Sequence, residues 1–160
     1  MKIAVVGAIN YDHITTFNGE EKEGLGGILY NVLALSNVTK RHNLPFIFHS
    51  DGKLWHILDD LIGCGVNAIH PLEPLSMDAT QLKKEYGDKL CLIGNVDLDY
   101  PLTRGTPEDV RRMVKERIEK LAQGGGYCCG SSNTIANYVP VENYIALLEA
   151  TEEYGRYPIR

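Results

Sequence analysis

From Pro45 onward, short apolar runs alternate with amphipathic stretches. The run FIFHS (46–50) is too short for a helix and predicts a strand. KLWHILDDLIGCG follows, with Leu54, Ile57, Leu58, Leu61 and Ile62 at helical spacing and Gly63 and Gly65 as the stop. VNAIH (66–70) reads as the next strand. MDATQLKKEYG then predicts a helix with Asp78 as N-cap, Gln81 completing a capping box and Gly87 closing it. LCLIGN (90–95) is a third strand, ending abruptly in Gly94-Asn95-Val96-Asp97. The next helix carries every start signal: Thr106 as cap, Pro107 at the first helical position and Asp109 in the box. Val110, Met113, Val114, Ile118 and Leu121 form its apolar stripe, and Gly124-Gly125-Gly126 ends it. YCCGS (127–131) is a fourth strand. A final helix runs from about Val141 to Tyr154, with Tyr144, Ile145 and Leu148 expected inward and Gly155 as its stop.

Residues 1–38 read differently. KIAVVGAI predicts a strand, NGEEKEG is polar, and a Gly-rich turn enters a helix at about Gly27. TKRHNLP (39–45) reads as a linker. The expected domains are 1–38, the linker 39–45, and 46–160.

Four consecutive βα units imply a parallel α/β sheet, since each strand needs a crossover to run parallel to the last. A doubly wound sheet and half of a (β/α)8 TIM barrel both accept the pattern. In either, ligands sit beyond the carboxyl ends of the strands. That end receives His49, Ser50 and Asp51; His70, Glu73 and Met77; Asn95, Asp97 and Asp99; and Ser131, Ser132 and Asn133. The triple glycine falls at the opposite end, as punctuation between helix and strand.

Composition narrows the partners. A net charge of −5 with no Lys/Arg cluster speaks against nucleic acid or an anionic membrane. No apolar run approaches the roughly 20 residues of a membrane span, and IAVVGAI is short and lacks a small-residue cleavage site. A cytoplasmic protein acting on a small molecule is expected. Cys64, Cys91, Cys128 and Cys129 show no C-x-x-C spacing and read as small buried apolar residues of a reducing compartment.

The carboxyl-end residues offer chemistry. His49 and Asp51, two apart on an extended chain, point to the same side and suit a metal or an acid/base pair. His70 and Glu73 stand at the next strand end between two prolines. Asp51, Glu73 and Asp97 can converge on one mouth, with Asn95 beside them and Gly94 allowing close approach of a ligand. The same residues can equally serve as hydrogen-bonded loop anchors.

The segments HSDGKLWHILDDLIGCGVNAIHPLEP, MDATQLKKEYGDKLCLIGNVD, GTPEDVRRMVKERIEKLAQGGGYCCGSSNTI and VPVENYIALLEATEEYGRYP resemble, in order and spacing, the carboxyl-terminal half of the uroporphyrinogen decarboxylase-like superfamily. The resemblance implies strands five to eight of a (β/α)8 barrel. It implies tetrapyrrole decarboxylation or, in another branch, zinc-dependent methyl transfer to or from corrinoids. GNVD resembles the loop lining the decarboxylase cleft. The catalytic expectation therefore falls on Asp51, Glu73, Asn95 and Asp97, and substrate binding on His70, Gly94, Ser131, Ser132 and Asn133. Zinc falls on His49 and Asp51, where the methyltransferase branch has His-x-Cys. The family's amino-terminal half, with its main catalytic aspartate and arginine-rich region, has no match here. A half-barrel exposes two sheet edges, so a homodimer or a partner chain completing the barrel is expected. A non-catalytic binding remnant is the rival reading.

The first 38 residues are similar to the start of ribokinase-like (PfkB) sugar kinases, through INYD with Asp12 and GGILYN with Gly26, Gly27 and Asn31. The kinase anion-hole motif is absent, so phosphoryl transfer is not expected.

Overall fold

The structure is a computed structural model; its backbone is described for residues 11–15, 21–25 and 28–159, and its side chains for 32–159. The chain divides into two compact units, Met1–Phe46 and Ile47–Arg160.

In the first unit, β1 (Tyr11–Thr15) pairs antiparallel with β2 (Glu21–Leu25), and α1 (Ile28–His42) follows. Part of the polar stretch thus forms a strand, held by antiparallel backbone pairing with β1. The strand expected at KIAVVGAI, the glycines Gly26 and Gly27, and the side chains of Asp12 and Asn31 lie outside the described residues. Residues 39–42 of the stretch expected as a linker are helical, since α1 runs on to His42. Lys40, Arg41 and His42 suit its carboxyl-terminal dipole. Asn43 takes a left-handed φ of 49°, and Leu44 N–H donates to Thr39 O, so the stop is an asparagine where the expected signal is a glycine.

In the second unit, β3 (Ile47–His49), β4 (Ala68–His70), β5 (Cys91–Val96) and β6 (Tyr127–Ser131) form one parallel sheet in sequence order. Between them lie α2 (Leu58–Gly63), α3 (Ala79–Tyr86) and α4 (Pro107–Leu121), with α5 (Val141–Tyr154) last. Sequential order without a switch point matches half a barrel rather than a doubly wound sheet. The caps form as the sequence requires. Asp78 accepts from Thr80 N and Gln81 N, although Gln81 reaches forward to Glu85 instead of closing a box. Thr106 and Asp109 form the full box.

The core lies on one side of the sheet. Val96, Val110, Val114, Ile118 and Leu147 are buried together. Along β3 and β5, buried Phe48, Leu92 and Val96 alternate with more exposed Ile47, His49 and Cys91. Parallel sheets are normally covered on both faces. Here the second face is open, and Ile47 is 55% exposed.

Two expectations fail for related reasons. Helix α5 buries Asn143, Ala146, Leu147 and Ala150, not Tyr144, Ile145 and Leu148. The two alanines bring α5 close against α4, and the Asn143 amide donates to Leu102 O and Gly105 O, so packing selects the smaller stripe. The cysteines are not uniformly buried either. Cys128 is exposed and the others are intermediate, because Cys91 and Cys128 sit on the uncovered face.

Candidate functional site

Beyond the carboxyl ends of β5 and β6 lies a cavity of about 460 Å³, lined in part by Glu73, Asp97, Asp99, Ser132, Asn133 and Tyr138. The βα loops build it. After β5, the chain enters an irregular turn, Leu98–Thr103, in which Tyr100 is extended and Pro101 is inserted. Asp97 starts this turn, its Oδ1 accepting from Asp99 N at 2.9 Å. Ser132 Oγ accepts from Leu98 N at 3.0 Å and fixes the turn to the β6 loop. Ser131 donates to Asn133 O, and Asn133 Nδ2 donates to Asp51 Oδ1 at 3.2 Å. Glu73 accepts from Ser76 Oγ at 3.4 Å, which leaves its other oxygen without a bond from that partner.

The mouth is acidic. Its lining holds three carboxylates, Glu73, Asp97 and Asp99, and no Lys, Arg or His among the described residues. Asp99 pairs with Arg104 through two hydrogen bonds, which hold its carboxyl below the usual range. Carboxylates grouped this way stabilise positive charge developing on a bound molecule.

Asn95 and Gly94 brace the β4 loop, one of the two roles the sequence left open. Asn95 is 2% exposed, with φ of 71°. Its Nδ2 donates to Leu72 O at 2.8 Å, its N–H to Pro71 O at 3.2 Å, and Arg117 Nε donates to its carbonyl at 3.3 Å. The side chain holds the loop that presents Glu73. Gly94 has φ of 106°, and a Cβ there would meet Pro71 O at 2.1 Å. The close approach seen here is to the β4 loop.

His49 and His70 stand side by side at the ends of β3 and β4, with Nδ1 atoms 2.6 Å apart. One Nδ1–H donates to the other ring's bare Nδ1. Burial, then the neighbouring His49, lowers the His70 pKa, with Asp51 opposing. Two imidazole nitrogens on a tetrahedral zinc stand about 3.3 Å apart, so the rings as placed bond to each other rather than share an ion. Asp51 is engaged by Asn133. No group of three or more His, Cys, Asp or Glu among the described residues is arranged to hold a metal. These residues as arranged do not fit a zinc ion.

Sequence reasoning missed Asn143, Tyr127 and Cys128. Tyr127 OH donates to Gly94 O at 2.9 Å, bracing the same glycine from β6, and burial pushes its pKa far up. Cys91 lies 3.8 Å from Cys128, Sγ to Sγ, and burial followed by that contact raises its pKa to about 11. Aligning the two strands in parallel register is the signal that could have paired them.

A parallel βα half-barrel with an acidic mouth at its carboxyl ends defines a fragment of the (β/α)8 class. The family model for uroporphyrinogen decarboxylase (URO-D) matches residues 29–154, and the chain belongs to that family. The match begins at residue 29, so nearly all of α1 falls with the decarboxylase family, and no comparison carries the sugar-kinase expectation for residues 1–38. Methylcobamide:CoM methyltransferase MtaA of Methanosarcina barkeri is 33% identical over 116 residues, 70% of this chain and 32% of the relative. Uroporphyrinogen decarboxylase of Coxiella burnetii is 27% identical over 113 residues, 70% of this chain and 30% of the relative. A methyltransferase structure from Methanosarcina mazei superposes with a TM-score of 0.63 at 24% identity, covering 79% of this chain and 35% of that one. The chain spans about a third of the length of these relatives.

Proposed function

We propose that this chain is the carboxyl-terminal half of a uroporphyrinogen decarboxylase-like site, a carbon–carbon lyase on tetrapyrroles. The observation that supports the reading is the acidic mouth, with Glu73, Asp97 and Asp99 around one cavity. Loss of CO2 from a pyrrole side chain proceeds through a protonated, cationic pyrrole that withdraws the electrons of the breaking C–C bond. Asp97 and Glu73 stabilise that cation, and Asn95 positions Glu73 through the Leu72 carbonyl. Carboxylates aimed at the developing charge lower the barrier more than they help ground-state binding.

The same charge argues for a partner. A tetrapyrrole carries several carboxylates, and this mouth offers them no cation. A chain supplying basic residues would both close the open sheet face and balance the mouth; a second copy would close the sheet but add negative charge. The supported arrangement is a barrel completed by a basic half, and the homodimer is the alternative. In this reading residues 1–38 carry no phosphoryl transfer.

Turnover of uroporphyrinogen, followed as loss of substrate carboxyl groups, tests the proposal on the chain and on its mixture with an amino-terminal half. Asp97→Asn is expected to lower kcat about 100-fold or more while binding is unchanged or tighter, since one repulsive charge is gone. Equal loss of binding and turnover would contradict the electrostatic role.

Corrinoid methyl transfer is the second reading, favoured by the methyltransferase relative being the more similar of the two named. A zinc version of it requires His49 and His70 to separate first. Methyl loss from a methylated corrinoid to a thiol, with uroporphyrinogen untouched, would select it. Binding of either macrocycle without turnover, even in a completed barrel, would select a non-catalytic remnant.

A further inference from the structure

Helix α5 buries three apolar residues, Ala146, Leu147 and Ala150, and one polar residue, Asn143. Asn143 lies in the first turn of the helix and is 1% exposed. Its Nδ2 donates to Gly105 O at 2.9 Å and Leu102 O at 3.0 Å, with Pro101 O at 3.4 Å. Its Oδ1 is buried without a partner. Turning the amide over gives no relief, because Oδ1 would then face three carbonyl oxygens, which accept but do not donate.

The three carbonyls belong to the end of the irregular turn Leu98–Thr103 and the residues just past it. That turn supplies Asp97, Leu98, Asp99 and Thr103 to the mouth. Its backbone cannot hold its own shape. Tyr100 is extended, Pro101 has no N–H to give, and Leu102 N–H reaches Asp97 O at a long 3.3 Å. Side chains supply the missing ties. Ser132 Oγ accepts from Leu98 N–H, and Thr103 Oγ1 donates to Leu98 O at 2.6 Å, so the amino end is held. Asn143 holds the carboxyl end, from a helix that itself lines none of the cavity.

We infer that Asn143 is a positioning residue of the mouth, acting through the Leu102 and Gly105 carbonyls to hold the turn that presents Asp97 and Asp99. The inference rests on the reading of this mouth as the substrate site. There a shift of about 1 Å in a reacting group can cost about 100-fold in rate.

Amide hydrogen exchange of the 160-residue chain, followed by NMR without ligand, tests it. Asn143→Leu keeps much of the side-chain shape and removes the donor. The amides of Leu102, Arg104 and Gly105, which bond within the turn, are expected to exchange at least about tenfold faster relative to those of α4 and α5. Asn143→Ala, which adds no bulk, should do the same. Equal acceleration throughout α5, or an unchanged turn, would overturn the inference. So would loss of folding in both variants, since the amide would then hold the fold and not the turn. Uroporphyrin failing to shift the mouth of the unaltered chain would sink the tetrapyrrole reading and leave the exchange result standing.

Discussion

Replacing Gly94 by alanine tests how the mouth is built. The residue sits at φ of 106°, where an L side chain costs about 1–2 kcal/mol. The added Cβ would lie 2.1 Å from Pro71 O and 2.9 Å from Ser131 O, and both are backbone atoms that no rotamer change can move. The Pro71 carbonyl has to retreat by about an ångström to reach ordinary contact. That retreat pulls on two hydrogen bonds, Asn95 N–H to Pro71 O and Asn95 Nδ2 to Leu72 O. Leaving buried partners unsatisfied costs about 1–3 kcal/mol. The expected loss is about 2–5 kcal/mol, toward the upper end of single-substitution effects. Urea unfolding followed by circular dichroism measures it. Gly63→Ala is the control: it ends α2, its φ is not positive, and nothing lies within 4 Å of its Cβ position. A Gly94→Ala loss below about 1 kcal/mol, comparable to the control, would refute the claim that this glycine is set by the β4 loop.

Three further outcomes follow from the same structure. Thr106→Ala removes the hydroxyl side of the α4 capping box, leaving the residue 106 N–H to donate to Asp109, and should cost about 0.5–2 kcal/mol by the same unfolding measurement. His70 has a folded pKa below its unfolded value, so the unfolded chain takes up the proton first; its contribution is intact above the unfolded pKa of about 6.5 and is lost as pH falls from there through the folded pKa. The acid-side fall in Tm should therefore shrink in His70→Gln, and an unchanged profile would contradict this. On α5, Ile145 and Leu148 are 47% and 52% exposed, so Ile145→Lys with Leu148→Lys should change stability by about 0.5 kcal/mol or less while lowering any self-association seen by light scattering; strong destabilisation would mean that the face is packed within the chain.

The βα alternation was legible because the strands are short and apolar, and because α3 and α4 carry their own start signals. Thr106, Pro107 and Asp109 specify α4 without reference to anything distant. The orientation of α5 was not legible, because hydrophobicity favours Ile145 and Leu148 while close packing on α4 favours Ala146 and Ala150. The convergence of Glu73, Asp97, Ser132 and Asn133 followed from topology alone, since a parallel sheet places all its βα loops at one end. What Asn95 does there could not be read from its position: an asparagine at a strand end suits a ligand or a carbonyl equally, and here the carbonyl of Leu72 takes it. The pairing of His49 with His70 and of Cys91 with Cys128 required a register, which only the folded sheet supplies.

The central claim is that the carboxyl-end mouth of this half-barrel is a tetrapyrrole site. Backbone amide NMR of the labelled chain, titrated with uroporphyrin, tests it directly. The account predicts saturable shifts confined to the loops around Glu73–Leu75, Asp97–Thr103 and Ser132–Tyr138. Shifts centred on the opposite loops, at Gly63–Gly65 and Gly124–Gly126, would contradict it.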